Sequence, residues 1–238
     1  MPTPFDLALL AFIVLGLPLR ALWAMRRLRA APAAALPGVR RGLYLRAMAM
    51  QWLLVAAVAA LWAWDRRPWP ALGLAPRPTA GLAGVLLGLA TIALLVRRQR
   101  PQITTDPDLR ARLRARLAGV ERLMPRTPAE FRRFVPLALT AGVCEELLFR
   151  GYLLWLFAHP LPYWVAAAAQ AVAFGLGHLY QGRRGVALTT AAGAFLTLVV
   201  AVSGSLWAAM LIHVLMDLHA GDVARRVFPP DADGPAAC

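Results

Sequence analysis

Residues 151–182 read GYLLWLFAHPLPYWVAAAAQAVAFGLGHLYQG, residues 185–216 read GVALTTAAGAFLTLVVAVSGSLWAAMLIHVLM, and neither stretch holds a residue of formal charge. A membrane-spanning helix needs about 20 mostly apolar residues, so each stretch exceeds one span. Each also carries an internal breaker: His159-Pro160-Leu161-Pro162 in the first and Ser203-Gly204-Ser205 in the second. Both stretches are therefore expected to fold back as helical hairpins with very short turns, joined across Arg183 and Arg184.

Working outward from these hairpins, the remaining apolar runs are 5–25, 47–64, 80–96 and 134–157, which with 163–180, 185–203 and 205–220 give an expectation of seven spans. Composition agrees: 60% of the chain is hydrophobic and 16% charged, and the mean hydropathy is +0.58. A water-soluble domain holds about half apolar and a quarter charged residues, so a soluble globular chain is excluded, and so is a disordered one. The fold class is all-α, a polytopic transmembrane helix bundle. The first run lacks the basic residues that precede a secretory signal core and reads as a retained helix. The expected organisation is three N-terminal spans in 1–100, a linker in 101–130, a transmembrane core in 131–225 and a disordered tail in 226–238. Cys144 and Cys238 are too few for a disulfide framework.

All 26 basic residues are arginine and the formal net charge is +14. Their placement between apolar runs points to loops facing anionic lipid and argues against a nucleic-acid partner. Twenty-one of them fall on alternate loops, 26–46, 97–133, 183–184 and 225–226, against Arg66, Arg67 and Arg77 on the opposite side. The positive-inside rule then puts the N-terminus outside and the C-terminus in the cytoplasm, and the arginine-only composition suggests a bacterial inner membrane. Segment 107–124 has Asp106 to cap it, Pro107 at its first position, and Leu109, Leu113, Leu117, Val120 and Met124 at helical spacing, with Arg110, Arg112, Arg114 and Arg116 among them. It is expected to be an amphipathic helix on the inner leaflet. Trp62, Trp64 and Trp69 suit an interfacial belt.

An ionisable side chain in hydrocarbon costs several kcal/mol unless paired or hydrated, so each one within a span calls for an explanation. The run Cys144-Glu145-Glu146-Leu147-Leu148-Phe149-Arg150-Gly151 holds three. Glu146 and Arg150 are four apart with the acid first, the favourable order for a helical ion pair. Glu145 projects about 100° away and has no local partner. The next span aligns Gln170, Phe174 and His178 on one face, and the last aligns His213 and Asp217. Gly175 and Gly177 are expected to allow close helix approach. A free carboxylate with two histidines can activate water, and a second histidine with Asp217 can supply an oxyanion donor, a set suited to peptide hydrolysis. Asp217 can also serve to orient His213. The same residues, Glu145, His178 and His213, can instead bind zinc; the residues alone leave both options open.

Glu145-Glu146-Leu147-Leu148-Phe149-Arg150 resembles the EExxxR motif of the CAAX-protease and bacteriocin-processing family of intramembrane endopeptidases. Phe174-Gly175-Leu176-Gly177-His178 is similar to its FxxxH motif, and His213-Val214-Leu215-Met216-Asp217 to its third, a histidine followed four later by asparagine or aspartate. The resemblance covers about 130–225. It implies a helical bundle with its site in the cytoplasmic half of the membrane, acting on a membrane-associated peptide or protein, prenylated CAAX-like or bacteriocin-type. It further implies that Glu145 with His178 activates water, that His213 and Asp217 form the oxyanion site, and that Glu146, Arg150 and Phe174 support them. Aspartate stands at 217 where the eukaryotic enzymes have asparagine, and an ionised Asp217 cannot donate to an oxyanion. Two rival classes remain at this stage: a proton-coupled transporter, and a non-catalytic scaffold or immunity protein of the same fold.

Overall fold

The computed structural model of the chain describes residues 2–75 and 80–231. Arg77, Cys238 and the rest of the expected tail beyond Asp231 lie outside the described residues. Eight helices organise the bundle: α1 (Pro4–Ala30), α2 (Leu36–Trp64), α3 (Ala80–Gln99), α4 (Pro107–Leu117), α5 (Pro128–Glu146), α6 (Tyr163–Gly177), α7 (Gly182–Ser203) and α8 (Leu206–Val227). No strand occurs among the described residues. Both hairpins form where the breakers stand. The first turns between Phe157 and Tyr163, and the second at Gly204, whose φ of 64° is one that glycine adopts without a Cβ penalty.

Length and composition single out five helices able to cross a membrane: Pro4–Ala30, Ala33–Trp64, Ala80–Thr105, Leu179–Ser203 and Leu206–Val227. The other two expected spans take a different form. The α6 helix is apolar but has only 15 residues, because it ends at Gly177, one residue before His178. Helix α5 carries the acids and Arg150 within its apolar run, and it runs on through a π-helical turn, Leu147–Leu153, to Phe157.

Two glycines decide how closely the core helices pack. A Cβ on Gly142 would come within 2.9 Å of the Val214 backbone nitrogen, so α5 and α8 approach nearly backbone to backbone. A Cβ on Gly175 would come within 2.9 Å of the Val186 carbonyl, which sets the α6–α7 approach. Gly177 has open space around it and plays no such part. Helix α2 lies along α5, pinned where Trp52 Nε1 donates to Thr140 Oγ1 at 3.3 Å. Leu54, Val58 and Trp62 of α2 pack with Leu148, Tyr152 and Phe174 in the central core. Trp62 is wholly buried there, unlike the belt position expected for it, whereas Trp64 is 84% exposed.

Each end of the bundle is closed by buried ions. At one end the Asp6 carboxylate accepts two N–H bonds from Arg67 at 2.8 and 2.6 Å and the Tyr152 hydroxyl at 2.8 Å. The hydrogen bonds it donates to Asp6 hold the Arg67 guanidinium above its ordinary pKa. At the other end Arg40 of α2, 1% exposed, pairs with Glu130 at 2.5 Å and Asp231 at 2.9 Å. The described part of the expected tail is thus held against the bundle. Helix α4 begins as its sequence indicates, Asp106 accepting from the Leu109 N–H at 2.9 Å. Its leucines Leu109, Leu113 and Leu117, half-buried, pack on a cluster with Ile103, Phe134 and Val227.

Candidate active site

The close α5–α8 crossing at Gly142 sets the acids of α5 beside the polar face of α8. Glu146 and Arg150, both side chains wholly buried, pair at 2.8 Å across one turn of the helix. The Arg150 guanidinium also lies 4.2 Å above the Phe174 ring. The same Glu146 oxygen, Oε1, accepts a bond from His213 Nδ1 at 2.8 Å. An ionised carboxylate only accepts, so with Glu146 ionised opposite Arg150 the His213 ring carries a proton on Nδ1 and turns Nε2 toward the rest of the site. Glu146, not Asp217, orients this histidine.

His213 Nε2 faces two further carboxylates, Glu145 Oε2 and Asp217 Oδ2, each at 3.9 Å. That separation is too long for a direct hydrogen bond and suits a small molecule between the groups. Side-chain exposure climbs from 0% at Glu146 through 9% at His213 and 17% at Glu145 to 36% at Asp217, so the site opens on the Asp217 side. Glu145 is not unpartnered as its place in the sequence suggests. Gln51 of α2, 94 positions earlier, donates from Nε2 to Glu145 Oε1 at 2.9 Å. Local spacing along α5 cannot show a partner supplied by another helix. Gln51 is nevertheless the only amide or hydroxyl side chain in the run 47–64, and that is the signal by which the sequence marks it.

His178 stands just past the end of α6, where its Nδ1 meets the Phe174 carbonyl at 2.9 Å and leaves Nε2 free. No carboxylate oxygen of the described residues pairs with it. The Phe174 ring links the two histidines, with centroids 4.9 Å from His178 and 6.0 Å from His213. Gln170, on the same face, is buried and donates to Thr197 of α7. Cys144 is fully buried and turned away. Glu145, Glu146, Arg150, Phe174, His213 and Asp217 therefore form one connected cluster, with His178 joined to it through Phe174.

The zinc option asks for Glu145, His178 and His213 on one ion. Among the described residues no three His, Cys, Asp or Glu side chains lie together in an arrangement that could hold a metal. His213 Nδ1 is already taken by Glu146, and His178 has no carboxylate beside it. The set does not fit a metal in this geometry. What the arrangement provides is a carboxylate at the opening, an imidazole of fixed orientation facing it, and a buried ion pair behind both.

The Type II CAAX prenyl endopeptidase Rce1-like family matches residues 127–219, a segment that includes all three motifs and leaves out Gln51. No curated protein and no solved structure matches the chain. The helices of this segment and the motif residues gathered within it agree with that match: residues 127–219 are similar to the Rce1-like family of type II CAAX prenyl endopeptidases, and they lie in an all-helical membrane protein.

Proposed function

We propose that the protein is an intramembrane endopeptidase that hydrolyses a peptide bond of a membrane-associated substrate, prenylated CAAX-like or bacteriocin-type, through a water activated by Glu145. The observation that carries this reading is the position of His213, locked at Nδ1 by Glu146 and facing Glu145 Oε2 and Asp217 Oδ2 with Nε2. Glu145, partly open to solvent, is the carboxylate placed to take a proton.

In the proposed reaction a water gives a proton to Glu145 Oε2 as its oxygen bonds to the scissile carbonyl carbon. His213, carrying protons on both nitrogens, donates from Nε2 to the developing oxyanion while Nδ1 stays on Glu146. His178 offers its free Nε2 to the attacking water, as the resemblance implies. The C–N bond then breaks and the proton held by Glu145 passes to the departing nitrogen, leaving an amine and a carboxylic acid whose hydroxyl keeps the water's second proton. The bilayer is the surrounding partner, and the arginine pattern favours an inner membrane with the N-terminus outside and the site opening toward the cytoplasm.

The test is cleavage of a farnesylated C-terminal peptide by the purified, detergent-solubilised protein, with Glu145→Ala and His178→Ala in parallel. Cleavage by the wild type alone is the expected result. Equal cleavage by Glu145→Ala overturns the role given to that residue.

A further inference from the structure

Helix α2 lies outside the segment that matches the peptidase family, yet it reaches the candidate base. Gln51 Nε2 donates to Glu145 Oε1 at 2.9 Å. The amide can be assigned one way only, since an ionised carboxylate does not donate and the oxygen end of Gln51 would face it without a bond. The other end of the amide, Oε1, is buried with no hydrogen-bond partner. An unsatisfied buried acceptor is costly, and burial of apolar surface gives no reason for an amide here: the rest of 47–64 is alanine, methionine, leucine, valine and tryptophan.

The contact is held in register. Trp52, the next residue, donates to Thr140 of α5, and Leu54 and Val58 anchor the same helix in the central core. Gln51 thus meets Glu145 along a fixed helix pair. Its bond also distinguishes the two carboxylate oxygens: Oε1 is occupied by the amide, and Oε2 is the one that faces His213.

We infer that Gln51 is a positioning residue for Glu145, holding its carboxylate so that Oε2 points to His213 and the attacking water. The inference rests on the reading of Glu145 as general base. A neutral amide suits this task, because it remains a donor across the pH range and adds no competing charge.

The experiment compares wild type, Gln51→Met, Gln51→His and Glu145→Gln in cleavage of the farnesylated peptide, with thermal unfolding alongside. Methionine keeps the length and volume without the donor, and the histidine Nε2 reaches about as far as the amide nitrogen. A reacting group misplaced by about 1 Å can lose about 100-fold in rate. Gln51→Met is therefore expected to lower kcat about 10- to 100-fold with KM and the unfolding temperature little changed, and Gln51→His to recover much of the loss. Wild-type kcat in Gln51→Met beside an inactive Glu145→Gln overturns the inference and leaves the peptidase reading intact. A fully active Glu145→Gln overturns the peptidase mechanism and the inference with it. If the probe peptide is not cleaved at all, an experimental structure of Gln51→Met decides: a displaced Glu145 carboxylate supports the inference, and an unmoved one overturns it.

Discussion

His213 Nδ1 and Arg150 meet on a single oxygen, Glu146 Oε1, each at 2.8 Å. One buried carboxylate therefore both balances the Arg150 guanidinium in the bundle core and sets the direction of the proposed oxyanion donor. The second acid of the motif links the stability of the core to the geometry of the site. The linkage is tight because Glu146 Oε2, Arg150 Nε and Arg150 Nη2 are all buried without partners.

Removing Glu146 leaves Arg150 as an uncompensated charge, and removing Arg150 leaves Glu146 with His213 alone. Arg150→Ala and Glu146→Ala are each expected to cost about 3–5 kcal/mol, the usual penalty for breaking a buried pair. The two should differ in a second measurement. In folded protein at low temperature, Glu146→Ala also frees His213 and lowers cleavage further than Arg150→Ala does. Thermal unfolding in detergent reads the first effect and peptide cleavage the second. An Arg150→Ala protein as stable as wild type would mean that the pair is not what stabilises the core.

Asp217 sits at the open edge of the cluster, 3.9 Å from His213 Nε2. Replacing it with asparagine supplies a donor where an ionised aspartate has none. Asp217→Asn is expected to cleave at least as fast as wild type and about 100- to 1,000-fold faster than Asp217→Ala, the range set by one oxyanion donor. Parallel kcat measurements check this. A strong loss in Asp217→Asn would assign position 217 a role that needs its negative charge.

Gly142→Ala places a methyl within 2.9 Å of the Val214 backbone nitrogen, where only movement of α5 or α8 can relieve the clash. Overpacking of this kind costs about 1–3 kcal/mol. Because the same crossing sets Glu145 and Glu146 against His213, activity should fall along with stability. Gly177→Ala, which meets open space, serves as the control and should leave both near wild type.

Asp6 supplies a contrasting case on α1. Its carboxylate is bound by Arg67 and Tyr152 at the far end of the bundle and has no contact with the cluster around Glu145. Asp6→Ala is expected to destabilise by about 1.5–3 kcal/mol, since it removes two charged hydrogen bonds from Arg67 and leaves Asp65 as its carboxylate partner. The kcat of the folded fraction should stay within about threefold of wild type. Unfolding followed together with specific activity separates the two effects.

What the sequence reveals divides by range. The hairpins at 159–162 and 203–205, the cap at Asp106 and the Glu146–Arg150 pair are all visible because each depends on neighbours within about one or two turns. The features that escape depend on contacts between distant helices. Trp62 has the composition of a belt residue, but the packing of α2 on α5 buries it. Leu109, Leu113 and Leu117 present an apolar stripe, and their packing on Phe134 and Val227 depends on elements distant in the sequence. For the site, the three motifs gave the residues, but not the wiring. Asp217 was a reasonable partner for His213 at four positions away, yet Glu146 approaches from α5 and takes the ring instead. Gln51 carried a detectable signal as a lone amide in an apolar run, though nothing local said which helix it would meet.

The ion triad at the Arg40 end bears on how the protein is made. Arg40 precedes Glu130 by 90 positions and Asp231 by 191, and all three are needed to close that end. A ribosome therefore delivers the guanidinium long before either of its anions. Until they emerge, an unpaired charge holds the Arg40 end of α2 in the aqueous or headgroup layer, and this end of the helix seals only once Asp231 has left the ribosome.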